Sequence, residues 1–106
     1  MTPEELRERA IEAYNRDLAK QNILTAMESR MTVNYNDGVF IVTQELISFL
    51  HAWQDELIYM LDAYDVPIQV DANYLKKLCK QRWHEVMNEF ALEYEEYKKI
   101  RNAKQL

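Results

Sequence analysis

The stretch TVNYNDGVFIV, residues 32–42, decides the fold because it interrupts an otherwise helical pattern. Its β-branched and aromatic residues flank Asn36-Asp37-Gly38, which predicts a β-hairpin. We expect a type I turn on Asn36 and Asp37, with Gly38 left-handed in a bulge. That geometry would place on one face Val33, Tyr35, Val39 and Ile41, and on the other Phe40 and Val42. A lone hairpin is marginal in water, so one face must lie on a helix or on another protein.

Helical patterns flank this hairpin on both sides. Thr2-Pro3-Glu4-Glu5 is typical of a helix start, and apolar spacing continues to about residue 31. Residues 1–20, rich in Arg and Glu, are expected to form a projecting helical arm of a single small domain, 1–106. After the hairpin, two further helices are predicted over about 44–64 and about 72–102, separated by Pro67.

The last two helices should be antiparallel, because the connector between them is short. We expect a mainly α protein with a small β-hairpin, in the order α-ββ-α-α, whose core is this antiparallel helical hairpin. In the predicted register, Glu56 and Arg82 form an intramolecular pair at the edge of the seam.

Charge and composition exclude several classes of protein. Residues 31–75 hold seven acids and no Lys or Arg, whereas residues 76–106 hold eight bases and five acids, within a net charge of -5. A phosphate backbone would be repelled by the acidic surface, and glutamates separate the basic clusters, so nucleic acid is not expected as a direct ligand. One Gly does not suffice for a phosphate-binding loop. One Cys and no long apolar run indicate a cytoplasmic protein, in the host cytoplasm if viral, without membrane contact.

No pattern of reactive side chains predicts catalysis. His84-Glu85 begins a zinc-protease-like motif, but Asn88 stands where the second His is required. Cys79 lies on an apolar stripe without a nearby base, and Glu93 is the one carboxylate at that stripe. We therefore expect no catalytic residue, no metal and no cofactor, and the protein is not expected to be an enzyme.

Protein binding is the function that the remaining features favour. On the predicted helix Tyr59 faces outward, on the same side as the acidic Asp55 and Asp62. These three residues, together with Asn36 and Asp37 at the hairpin tip, are the candidate partner contacts. The expected partner is another protein with a basic surface, and self-association is an alternative.

The segment from Glu56-Leu57 through Asp65-Val66-Pro67-Ile68 resembles part of the late-transcription coactivators of large tailed phages, in which an acidic helix ends in an apolar-Pro-acidic connector. The resemblance covers about 30 residues and implies an accessory protein that contacts RNA polymerase. Three functions are therefore open. The first is a non-enzymatic interaction module, such as a small phage-encoded accessory or regulatory protein that binds a host or viral complex. The second is a structural or assembly component of a virion or other large particle, and the third is a transcription coactivator.

Overall fold

The computed structural model describes residues 2–105 and the side chains of residues 2–100. Three helices and two hairpins follow one another as α1 (Pro3–Arg30), β1 (Thr32–Tyr35), β2 (Gly38–Ile41), α2 (Gln44–Ala52), β3 (Leu57–Leu61), β4 (Pro67–Asp71) and α3 (Ala72–Gln105). The predicted class, mainly α with a β-hairpin, is confirmed. The second hairpin is an element that the sequence reasoning missed. No helix among the described residues is long and apolar enough to cross a membrane.

The prediction of a single helix over 44–64 is wrong beyond Ala52. The helix α2 ends where the Trp53 N–H donates to the Leu50 carbonyl at 3.2 Å. The chain then forms β3, which pairs antiparallel with β4. An extended backbone turns Ile58 and Met60 towards the core, opposite the buried Ile68 and Val70 of β4. The apolar residues of 57–61 fit the spacing of a helix as well as that of a strand. Pairing with β4, whose side chains alternate between buried and exposed, therefore decides the conformation.

The first hairpin has a tighter turn than the sequence predicts. Asn36 and Asp37 both have positive φ, 50° and 66°, as a two-residue type I′ turn requires, whereas Gly38 does not. The predicted type I turn with a bulge at Gly38 is therefore wrong. A primed turn matches the twist of the two strands, and Asn and Asp tolerate the left-handed conformation.

This turn also changes which side chains share a face. Val33 is the cross-strand partner of Phe40, so the two side chains lie on the same face and not on opposite faces as predicted. Val33, Phe40 and Val42 are therefore buried together, and Ile41 is exposed. A one-residue change of register moves every side chain of one strand to the other face. Gly38 is needed for close packing, because a Cβ there would lie 2.8 Å from Cγ1 of Ile68 in the second hairpin.

One cluster of buried side chains joins the two hairpins, α2 and the first half of α3. Its largest fully buried members are Phe40, Leu50, Val70, Leu75, Cys79 and Val86. The helices α2 and α3 are antiparallel, and the Lys76 ammonium lies beside His51 and donates to Gln54 Oε1 at 2.9 Å.

The predicted pair of Glu56 and Arg82 does not form. The Glu56 carbonyl accepts from the Ala72 N–H at 3.3 Å, at the start of α3, and Arg82 lies ten residues further along that helix, about 15 Å away. The Arg82 guanidinium is instead 3.8 Å from Glu85. The register was wrong because a hairpin replaces the last three turns of the predicted helix.

The helix α1 runs back along the outer part of α3. Arg30 forms an ion pair with Glu89, and further out the Tyr97 hydroxyl donates to the Arg16 carbonyl at 3.3 Å. None of the residues of α1 is buried. Because the helices extend beyond a small core, the molecule is elongated and measures 65 × 24 × 21 Å.

Candidate functional site

The outer face of the second hairpin carries a row of exposed apolar side chains. Leu57, Tyr59 and Leu61 alternate along β3 and are 67%, 72% and 57% exposed. We call these three residues the β3 strip. Tyr59 is thus exposed on a strand and not on the predicted helix. Large apolar side chains that form a contiguous exposed row are typical of interaction surfaces.

The backbone of the same three residues is also without a partner inside the hairpin. Asp62 donates to the Val66 carbonyl at 2.9 Å, and Ala72 donates to the Glu56 carbonyl at 3.3 Å. Hydrogen-bonded pairs alternate with unbonded pairs in an antiparallel ladder, so the β3 residues between these two points that bond to β4 are Ile58 and Met60. The N–H and C=O groups of the β3 strip therefore point away from β4.

The opposite edge of the hairpin, on β4, is covered. The Asn36 side-chain amide donates to the Gln69 carbonyl at 3.0 Å, and the Asp71 N–H donates to the Tyr35 hydroxyl at 3.1 Å. Within the part of the chain that the structure describes, no element other than β4 packs extensively against β3. The second hairpin thus has one covered edge and one free edge, and the free edge is the one that carries the β3 strip.

Acidic residues stand at both ends of this free edge. Asp55 and Glu56 are exposed just before β3, and Asp65 is exposed in the turn after it. The segment 31–75 supplies no Lys or Arg, and the Lys76 ammonium from α3 is directed to Gln54. The electrostatic potential around the strip is therefore negative, which attracts basic groups.

Asp62, which was predicted as a partner contact, has a structural role within the fold. Its side chain is 9% exposed, and its carboxylate accepts from the N–H groups of Val66 at 3.0 Å, Tyr64 at 2.9 Å and Val39 at 3.2 Å. These bonds, led by that from Val66, lower the pKa of Asp62 below its ordinary value of 3.8 against the opposing effect of burial. Asp62 holds the turn of the second hairpin and joins it to the first.

The candidate contacts Asn36 and Asp37 lie away from the β3 strip. Both are exposed in the first hairpin's turn, and the Asn36 amide binds β4, on the edge opposite β3. Of the five predicted contacts, the structure therefore places only Asp55 and Tyr59 along the free edge. Leu57 and Leu61 complete the strip and were missed. The alternation of Val66, Ile68 and Val70 is the sequence signal that could have indicated a strand in need of a pairing partner.

The potentially reactive side chains do not converge. Cys79 is buried in the core cluster, and burial raises the pKa of its thiol to about 11. His84 lines an open groove between α2 and α3, whereas His51 lies at the other end of α2 beside Lys76. Glu93 lies at the contact between α1 and α3, near Met27. Within residues 2–100, no three His, Cys, Asp or Glu side chains are grouped to hold a metal ion.

The chain matches no protein-family model, and no curated protein and no solved structure is significantly similar to it. The segment that resembles the phage coactivators forms β3, a turn and the start of β4 in place of the expected acidic helix and connector. The segment therefore does not have the helical structure on which the resemblance was based.

Proposed function

We propose that this protein is a non-enzymatic protein–protein interaction module, and that it binds a basic partner protein through the β3 strip. The observation that carries the proposal is the coincidence of three exposed apolar side chains with a free strand edge. Tyr is among the residue types enriched in the few positions that carry most of the binding energy at protein interfaces, and apolar neighbours help to exclude water there. The acidic residues around the strip add attraction for a basic surface and faster association.

The chemistry of this surface favours a protein over other ligands. Phosphates would be repelled by Asp55, Glu56 and Asp65, which disfavours nucleic acid at this edge. A small molecule needs a concave site, whereas the strip lies on the outer face of a two-stranded sheet. A protein of this size suits the role of a cytoplasmic accessory or regulatory subunit, such as one that a phage encodes, which attaches to a larger complex.

Photo-crosslinking tests this function directly. A benzophenone amino acid replaces Tyr59 in one variant and Leu92 in the control, because Leu92 is 71% exposed but lies on α3. We expect the variant at position 59 to form an adduct with one defined protein in the cell that produces the chain. The adduct should weaken with added salt and with Asp55→Lys and Asp65→Lys, but not with Glu8→Lys and Glu12→Lys on α1. Equal adducts from both positions, or none from position 59, would overturn the proposal.

A second candidate function, assembly into a larger particle, is favoured by a different surface. The helix α1 exposes an apolar set that none of the side chains described in residues 2–100 covers: Leu6, Ile11, Tyr14 and Leu18, each at least 45% exposed. A structural component would use this helix for contacts between copies. Sedimentation over a wide concentration range tests it, since assembly predicts a mass that rises with concentration and falls again in Ile11→Gln. A constant monomer mass contradicts it.

A further inference from the structure

We infer that the partner binds by strand addition: an extended segment with alternating apolar residues and basic residues at both ends pairs antiparallel with β3. This inference rests on the proposed function and specifies how the partner is recognised. The hairpin would then become a three-stranded sheet, with β3 as its central strand.

The hydrogen-bonding groups for such pairing are in place on β3. Leu57, Tyr59 and Leu61 each direct one N–H and one C=O outward. The hydrogen bonds just before and just after β3, at Glu56 and at Asp62, fix this alternation. An added strand satisfies all of these groups while its alternate side chains lie beside the strip. Antiparallel pairing is preferred because its bonds are straighter than those of parallel pairs.

Among the described residues, the β3 edge has no Lys, no Pro, no bulge and no covering element. Proteins protect exposed edges with Lys, Pro, bulges or a covering element. β3 has the sequence LIYML, with no charge and no Pro, and it pairs with β4 without a bulge. By contrast, the edge of β4 begins with Pro67 and is covered by Asn36 and Tyr35. The difference between the two edges indicates that β3 is kept open for a partner.

Charge decides against a second copy of this chain as the added strand. Two copies of β3 paired antiparallel about Tyr59 would bring Asp55 and Glu56 of one copy alongside the turn of the other, which carries Asp65. The segment 31–75 has no Lys or Arg to offset these like charges. A heterologous strand with Lys or Arg at both ends places opposite charges at the same positions.

The probe is a synthetic capped peptide with the core Val-Thr-Val-Thr-Val and two Lys at each end, and a control peptide replaces every Lys by Glu. Hydrogen exchange of the backbone amides of the intact chain is followed by NMR. In the free protein, the amides of Leu57, Tyr59 and Leu61 should exchange faster than those of Ile58 and Met60. The Lys peptide at millimolar concentration should slow exchange of the first three by at least about ten-fold, and the Glu peptide should not.

Backbone methylation of the peptide separates strand addition from side-chain contact. Only alternate N–H groups of an added strand face β3, so N-methylation of one alternate set should abolish binding and methylation of the other should preserve it. In the protein, Tyr59→Pro removes an outward N–H without removing a bond to β4, so it should abolish protection entirely. Tyr59→Thr keeps this N–H and loses only the aromatic side chain, so it should weaken protection without abolishing it.

Each other outcome identifies what has failed. No protection by the Lys peptide, or equal binding of both methylated peptides, overturns strand addition but leaves protein binding through position 59 intact if the crosslink forms. Strip amides that are already protected in the free protein, together with a dimeric mass, overturn it in favour of a second copy. Loss of the crosslink at position 59 overturns the proposed function itself.

Discussion

The carboxylate of Asp62, in the turn after β3, accepts a hydrogen bond at 3.2 Å from the backbone N–H of Val39 in the first hairpin. The Val39 carbonyl in turn accepts from the Ala63 N–H at 2.7 Å. These two bonds join the hairpins near their turns. The position of the free edge of β3 therefore depends on a carboxylate that is itself nearly buried.

Replacement of Asp62 by Asn should destabilise the protein. The amide oxygen can still accept from Val66 and Tyr64, but the amide nitrogen then faces the Val39 N–H, which is left without an acceptor. We expect the Tm to fall by about 5 °C or more, measured by circular dichroism. Asp65→Asn makes the same chemical change at an exposed position and should leave the Tm almost unchanged. Equal effects of the two substitutions would contradict the structural role of Asp62.

Acid should remove the stabilisation that Asp62 provides. Because folding lowers the pKa of this carboxyl below 3.8, its contribution is complete at higher pH and is lost as the pH falls through the lowered pKa. In urea unfolding, the midpoint difference between wild type and Asp62→Asn should be constant near neutral pH and shrink below pH 3.8. A difference that persists undiminished to about pH 2 would contradict the assignment.

Gly38→Ala should destabilise the protein even though the φ angle of Gly38 is not positive. A Cβ at this position would lie 2.8 Å from Cγ1 of Ile68 and 3.1 Å from Cε2 of Phe40, and both side chains are buried. We expect a loss of about 1–3 kcal/mol in the free energy of unfolding, measured with urea. The control is Asp37→Gly, which places glycine where φ is 66° and should keep or raise stability. The reverse order would mean that the turn contains a bulge.

Cys79 should be inert in the folded protein. Its thiol is fully buried and its pKa is raised to about 11, so little thiolate forms at neutral pH. A thiol reagent such as iodoacetamide should modify it only after unfolding, as followed by mass spectrometry. Rapid modification of the native protein at neutral pH would show that this part of the core opens.

Local signals in the sequence predict much of this fold. The capping box at Thr2, which closes with Glu5, marks the start of α1, and Thr43 caps α2 through the Leu46 N–H. The hairpin at residues 32–41 and the long last helix also follow from local patterns. In each case the decisive contacts lie within a few residues, where the sequence reports them directly.

The parts that the sequence analysis missed depend on contacts between distant residues. Residues 57–61 fit a helix as well as a strand, and only pairing with 67–71 selects the strand. Asp62 is acidic and was expected on the surface, but it is buried. Its carboxylate is satisfied there by three backbone N–H groups, one of which is 23 residues away in the sequence. The free edge of β3 could not be predicted from local patterns. The first hairpin covers the β4 edge of the second hairpin and leaves the β3 edge free, and this choice depends on contacts between distant residues.

The most direct test of the central claim is the affinity of the crosslinked partner for Tyr59→Thr, measured by calorimetry against Tyr14→Thr. Thr maintains the strand while removing an exposed aromatic side chain, and Tyr14 is 66% exposed on α1. We expect the Kd to rise by at least about ten-fold for Tyr59→Thr and by less than about two-fold for Tyr14→Thr. Equal affinities of the two variants would contradict the assignment of the β3 strip as the binding surface.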